Sequence, residues 1–369
     1  MKLPWRYAIC LILLTVGIVV GYNWCQKSTP PKELWKLKEH VHHHQRTLSV
    51  QGRPEVENPN IGKEADSLIC DEKNAICDEK NADCHDNRHD NWKPFLNCGQ
   101  IAEVTLEKKI GEGLVKQVFL GRLQEMRFAY ANLSHPRYLE DFLHGAEMLQ
   151  AMQINKHVVQ LLGSCLDANP PVIITEYHEL GSAETIEDIF SQQQGLADRN
   201  TLRTRFHLCL DYARILSFLH SSPVGTRIMC DSNDPTKTLS QFLVTNDLRL
   251  VINDLDALPL VDRTRGLLAK CGHRQLFDDF VAPEQLWPFQ DKAFQDEDMP
   301  PYNEKTDIWK VPDITDLLLG KVDHSDIVRL HLFKLHKQCK ERDPALRPTA
   351  KEILAKYQEI FDSIVGDSD

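Results

Sequence analysis

The sequence predicts an α+β fold of two lobes, a small strand-rich lobe and then a larger helical one, preceded by a single transmembrane helix and a stem. Three observations predict it. In the folded part, strand patterns come early and helix patterns late, which places a small sheet beside a bundle of helices. The 369 residues leave room for one two-lobed domain of about 250 residues and the segments before it. Near the N-terminus, Tyr7 to Trp24 form an almost unbroken apolar run, followed by a long polar stretch broken by Pro30, Pro31, Pro54 and Pro59.

Roughly 17–25 apolar residues cross a bilayer. Lys2 and Arg6 precede the run, and Trp5, Tyr22 and Trp24 sit where interfacial aromatics belong. A cleaved signal peptide is the alternative, but no small-residue cleavage site follows. The expected organisation is a cytosolic tail (1–6), a signal anchor (7–24), a lumenal stem (25–98) and a folded domain (99–365). Counting the positive charges on the two sides (Lys27, Lys32, Lys36 and Lys38 follow the run) favours the reverse topology. The short tail and the cysteines downstream favour the lumenal one. The net charge of −11, with both signs mixed, leaves no basic stripe and excludes nucleic acid as a partner.

Eleven cysteines suit an oxidising compartment, although spacing alone does not give their pairing. In the stem, Cys70-Asp-Glu-Lys-Asn-Ala-Ile is repeated as Cys77-Asp-Glu-Lys-Asn-Ala-Asp before Cys84, a tandem duplication spaced too widely for a paired-cysteine zinc site. His40, His42, His43 and His44 cluster upstream and read as solvated rather than metal-binding. Asn132–Leu133–Ser134 is a glycosylation sequon.

From about Ile101 the texture changes. Val104–Leu106–Ile110 and Val115–Val118–Phe119–Leu120 read as two strands around a glycine turn, and Val172–Ile173–Ile174 as a buried strand. Helical spacing marks Asp141–Met152, Phe206–Leu219, Val328–Cys339 and Ala350–Ile360.

The motifs sit in register with those elements and resemble those of protein kinases. Asp254–Leu255–Asp256 stands where a magnesium-binding Asp-Phe-Gly is expected, and Ala282–Pro283–Glu284 closes the activation segment. Gly111 and Gly113 resemble the glycine-rich loop over the nucleotide phosphates. The usual strand lysine is missing, with Ala131 in its place. The phosphates still need a cation, because electrostatic positioning dominates phosphoryl transfer, and Lys116 on the neighbouring strand is the candidate. The helix glutamate that would orient such a lysine is replaced by Gly145, and Glu147 lies nearby without a known direction. The backbone of Glu176 and His178 matches the adenine-binding hinge. Asp231 matches the base that accepts the hydroxyl proton, with Asn233 and Asp234 beside it. Gln241, after a five-residue insertion, stands at the second metal position, where its amide oxygen can serve magnesium. Cys230 replaces the arginine before the base, and Thr264 is the only hydroxyl between Ala257 and Val281, so switching by loop phosphorylation is not expected. Asp307–Ile308–Trp309 and Arg347 match fold supports.

Longer strings narrow the resemblance. Asp141-Phe-Leu-His-Gly145, Ser222-Pro-Val-Gly-Thr-Arg-Ile-Met-Cys-Asp-Ser-Asn-Asp234, Lys237-Thr-Leu-Ser-Gln241, Asn253-Asp-Leu-Asp-Ala-Leu-Pro-Leu260, Lys270-Cys-Gly-His-Arg274 and Phe280-Val-Ala-Pro-Glu-Gln-Leu-Trp-Pro288 are similar to the protein O-mannose kinases from about Val104 to Ile360. The resemblance implies a single-pass type II protein of the endoplasmic reticulum membrane with a lumenal catalytic domain. It further implies ATP with Mg2+ or Mn2+, and phosphorylation of the mannose 6-hydroxyl in the GalNAc-GlcNAc-mannose trisaccharide of α-dystroglycan, a step needed for later glycan extension and laminin binding. Asp231 would be the base, Lys116 the phosphate cation, and Asp254 and Gln241 the metal ligands. Two readings stand beside it: a catalytically inactive membrane-tethered scaffold, favoured by Ala131, Cys230 and Asp256, and a secretory-pathway kinase acting on protein hydroxyls.

Overall fold

The structure, a computed structural model, describes residues 95–365. The chain divides into two units, Met1–Cys84 and His85–Asp369, and the described residues belong to the second. The expected anchor, the His40–His44 cluster and the cysteine duplication lie outside the described residues. Among the described residues no helix is long and apolar enough to cross a membrane.

The first lobe is a five-stranded antiparallel sheet in the order β1-β2-β3-β5-β4. Its strands are β1 (Thr105–Glu112), β2 (Lys116–Leu123), β3 (Met126–Leu133), β4 (Leu161–Cys165) and β5 (Val172–Glu176). The period of two is plain in β5. Val172 and Ile174 join an outer cluster with Leu96, Ile101 and Phe128, while Ile173 faces the main core. Helix α1 (Cys98–Ala102) is held by a reciprocal Asn97–Gln100 capping box. Helix α2 (Leu139–Met152) covers the core face through Phe142, Ala146 and Leu149.

The fold takes in residues that composition assigned to the stem. Leu96 is buried, and its N–H donates to the Leu162 carbonyl at 2.6 Å. A Cβ at Gly163 would stand 2.7 Å from the Leu96 carbonyl oxygen, so only glycine admits this close approach. A Cys98–Cys165 disulfide then fastens α1 to β4.

The second lobe is helical: α3 (Ile186–Gln192), α4 (Leu202–Leu219), α5 (Pro235–Leu239), α6 (Lys305–Leu319), α7 (Ser325–Cys339) and α8 (Ala350–Ile360). Two short ribbons complete the order: β6 (Thr226–Arg227) pairs with β9 (Leu260–Val261), and β7 (Phe242–Val244) with β8 (Leu250–Ile252). Thr201 caps α4, and a Thr349–Glu352 box caps α8. Helix α4 is buried on nearly every side, and α8 and α6 pack on it around Phe206, Tyr212, Ile314 and Tyr357. A second disulfide joins Cys230 to Cys271, while Cys209 and Cys339 are free and buried. Cross-links closing 67 and 41 residues stabilise the domain by roughly 4 kcal/mol each in the chain-entropy picture.

One buried histidine carries a pH prediction. His336 on α7 sits 2.8 Å from the Tyr357 hydroxyl, and burial pushes its imidazole down to about 4. The unfolded chain therefore binds a proton that the folded one refuses. Stability is complete above about pH 6.5 and is lost as pH falls towards 4. His336→Gln, which keeps a hydrogen-bonding partner for Tyr357 without the ionisation, should flatten that slope in urea unfolding midpoints measured from pH 7 to 4.

Candidate active site

The sheet presents a cation from β2. Val118 pairs with Ala131 and Lys116 with Leu133, so these four residues share one face of the sheet. Lys116 Nζ donates to Asp254 Oδ1 at 2.6 Å and lies 3.2 Å from Asp256 Oδ2. Burial alone would lower the lysine, but the two carboxylates outweigh it and hold the ammonium above its ordinary value. One cation serves two acids. Burial favours a raised Asp254 too, yet Lys116 holds it below the usual carboxylate range. Asp256 is pushed up to about 6 by burial, and the Asp254 charge works in the same direction against Lys116.

The open question of the helix partner is answered by Asp256. Glu147 is exposed on α2. Gly145 is buried, and a Cβ there would meet Asp256 Cβ at 3.0 Å and Asp256 Cα at 3.3 Å. The absent helix side chain is thus the space into which Asp256 fits, and its carboxylate supplies the charge that a helix glutamate would bring. Gly145→Ala should displace the Asp254–Asp256 turn. Because misplacement by ~1 Å can cost on the order of 100-fold, kcat/KM should fall by ~10-fold or more in steady-state assays while the fold is kept.

The catalytic loop is fixed from below. The buried Asp307 on α6 accepts from the Met229 N–H at 3.2 Å and from His220 Nε2 at 3.1 Å. The buried Lys310 donates to Ser232 Oγ at 2.6 Å. Asp231 emerges between these anchors with its side chain 39% exposed, and Lys237 Nζ lies 2.6 Å from its Oδ2. Lys237 was not among the residues expected at the site. Burial would lower it, but hydrogen bonding and charge from Asp231, helped by Asp254 and Asp256, raise it, so the two cation–acid groups feel one another's fields.

Lys237 reaches Asp231 because the five-residue insertion folds as α5. Asp234 caps it by accepting from the Lys237 N–H at 2.8 Å, and Pro235 occupies the first helical position. Asp234 is therefore a cap. Gln241 follows, buried, with its amide Nε2 donating to the Lys237 carbonyl at 3.0 Å and to Ser240 Oγ at 3.3 Å. With the nitrogen end engaged, the oxygen end is left as an acceptor. Leu255 replaces a phenylalanine and is wholly buried in the main core, which fixes the aspartates on either side of it.

The remaining expected residues are placed as follows. Gly111 pairs with Val118 beside a β-bulge, and the Gly113 N–H closes the turn onto the Lys116 carbonyl at 2.8 Å. The Glu176 N–H is engaged by the Gln160 carbonyl at 3.0 Å, and the His178 carbonyl accepts from the Gly181 N–H at 3.2 Å. Asn132 lies within β3, paired between Gln117 and Val172 and half-buried, with its Oδ1 enclosed. Glu284 forms a two-pronged ion pair with the buried Arg347, at 2.6 and 2.8 Å, and Trp309 Nε1 donates to the Asp279 carbonyl. These contacts lock the end of the activation segment onto the helical lobe.

A five-stranded lobe, a helical lobe, and paired lysine–aspartate groups define a protein-kinase-like phosphotransferase. The family model for protein tyrosine and serine/threonine kinases matches residues 104–233. The chain is 49% identical over 276 residues to the protein O-mannose kinase of Homo sapiens, an alignment covering 74% of this chain and 78% of that one. It is 49% identical to that of Gallus gallus, with 75% and 78% covered, and 47% identical to that of Xenopus laevis, with 73% and 76% covered. The chain belongs to the protein O-mannose kinase family, and it is a kinase that uses ATP with a divalent metal ion.

Proposed function

We propose that this chain transfers the γ-phosphate of ATP to the 6-hydroxyl of mannose in an O-linked GalNAc-GlcNAc-mannose trisaccharide on α-dystroglycan, a step that precedes further glycan extension and laminin binding. The observation that carries the chemistry is the pairing of Asp231 with Lys237 opposite the Lys116–Asp254–Asp256 group. Asp231 is exposed enough to meet a hydroxyl, and the contact with Lys237 orients its carboxylate for the proton. Lys116 supplies positive charge for the nucleotide phosphates, and the backbone around Glu176 and His178 frames the adenine. A sugar hydroxyl makes the same demands of this site as a serine hydroxyl, so only the acceptor pocket need differ.

The donor set fits a hard divalent ion. Asp254, Asp256 and the Gln241 amide oxygen are oxygen ligands, and magnesium is ordinarily bound by one or two carboxylates with water and phosphate oxygens. Asp254, Asp256 and Gln241 would hold such an ion, and it would supply positive charge against the nucleotide phosphates.

The same reading makes the protein a single-pass type II resident of the endoplasmic reticulum membrane with a lumenal domain. Two disulfides among the described residues support an oxidising address. Protease protection of sealed microsomes should leave residues 95–365 intact; digestion without detergent would place the domain in the cytosol.

The acceptor is tested by offering γ-labelled ATP with the trisaccharide, bare mannose and a serine-rich protein in parallel. Labelling of the trisaccharide alone, with the phosphate at mannose C6 by NMR, is expected. Labelling of the protein alone would remove the glycan assignment and keep the kinase.

A further inference from the structure

Cys230 directly precedes the base, and Cys271 lies in the activation segment; the two form a disulfide across 41 residues. Both ends are anchored. On the loop side, the Met229 N–H is held by Asp307 and the Cys230 N–H donates to the Ala257 carbonyl at 3.1 Å. On the segment side, the Cys271 N–H donates to the Tyr302 hydroxyl at 2.7 Å, and Ala269 and Tyr302 exchange backbone bonds of 2.9 and 2.8 Å. Around the bridge, Ile228, Val261, Ala269 and Tyr302 form a small buried cluster separate from the main core, with Cys230, Cys271 and Met299 packed against it.

The other ties to the catalytic loop lie at the start of the segment, where β6 pairs with β9 and Arg227 Nη1 donates to the Leu258 carbonyl at 3.1 Å; the disulfide fastens the segment ten residues beyond β9. Thr264, its one hydroxyl residue before Val281, is spent locally on Asp262 at 2.6 Å. Leu267, Leu268 and Phe277 are 44%, 37% and 64% exposed rather than packed. No arginine precedes the base to receive a phosphate. The covalent bond stands where an ionic one would be needed.

We propose that Cys230 and Cys271 are a positioning pair for phosphoryl transfer. Their disulfide braces the activation segment against the catalytic loop and sets the reach of Asp231 towards the acceptor hydroxyl. The brace makes turnover dependent on redox state. A dithiol reductant breaks the one S–S bond, two thiols form, and the reductant leaves as its own disulfide; reoxidation reverses the change. The effect falls on the chemical step, because the nucleotide is held by Lys116, Asp254 and the hinge, which the bridge does not touch.

The inference rests on the phosphotransferase reading of Asp231, and the test separates the two. The full chain in detergent is assayed with ATP, magnesium and the mannosyl trisaccharide before and after dithiothreitol. Wild type is compared with the Cys230→Ala/Cys271→Ala and Cys98→Ser/Cys165→Ser double variants. Reduction should lower kcat about 10- to 100-fold in wild type and in Cys98→Ser/Cys165→Ser. KM for ATP and the ATP-induced melting shift should stay within about 2-fold. Cys230→Ala/Cys271→Ala should have the low kcat from the outset and no dithiol response. Should that variant fail to fold, folded wild type that has been reduced and alkylated, with both cysteines verified by mass, decides. The inference is overturned if reduction leaves wild-type kcat within about 2-fold, if KM for ATP rises in step with the loss, or if the response disappears with the Cys98–Cys165 bridge. An oxidised wild type that transfers no phosphate would sink the functional reading and the inference with it.

Discussion

Replacing Asp231 by asparagine should lower kcat by about 10²- to 10⁴-fold, the range that a positioned general base contributes. The change is nearly isosteric, so the carbonyl oxygen can still accept from Lys237 Nζ, 2.6 Å from the native carboxylate. What is lost is the ability to take the acceptor proton. The loop should stay in place, because Asp307, Lys310 and α5 hold it through Met229, Ser232 and the Asp234 cap rather than through Asp231. ATP affinity by calorimetry should therefore hardly move while single-turnover transfer collapses. A parallel loss of both would make Asp231 a structural residue.

Replacing Lys116 by alanine should have two separable effects. Transfer should fall by about 10²- to 10³-fold, as when one preorganised donor to a developing charge is removed. Stability of the metal-free protein should fall by about 3–5 kcal/mol, because two largely buried carboxylates lose the cation that both share, and Asp254 then shifts towards its protonated form. Magnesium should recover part of the lost melting temperature, since the ion replaces the missing charge between Asp254 and Asp256, without recovering the lost rate. A variant as stable as wild type without metal and fully active would show that another group neutralises the phosphates.

The order of elements was legible from periodicity. Ala350–Ile360 matches α8 residue for residue, and α2, α4 and α7 begin two to four residues before the expected starts. For α4 the cap at Thr201 marked the true start. Helix α6 went unread because Pro312 interrupts the pattern that α-helices otherwise show; tertiary burial of Ile308, Val311, Ile314 and Leu318 overrides that local penalty. At the site, motif register proposes Lys116, Asp231, Asp254 and Gln241, and the structure brings the first three into two adjoining charge groups. Lys237 could not, because its nearness to Asp231 depends on the insertion folding as a helix. The Asp234–Pro235 pair was the one signal for that helix. The role of Asp256 depends on the vacancy at Gly145, a contact between positions 111 residues apart that no local pattern encodes. Cysteine pairing had the same difficulty: spacing allowed many connectivities, and only the fold selects Cys98–Cys165 and Cys230–Cys271.

The central claim is that a kinase fold without the strand lysine, the helix glutamate and the arginine before the base remains a working phosphotransferase. The most direct measurement is steady-state transfer of γ-labelled phosphate from ATP to the mannosyl trisaccharide by the full chain, run beside Asp231→Asn. The prediction is multiple turnovers by wild type and loss of transfer in the variant, with ATP binding equal in both. A wild-type chain that binds ATP with magnesium yet transfers phosphate to no acceptor would contradict the account and leave a scaffold.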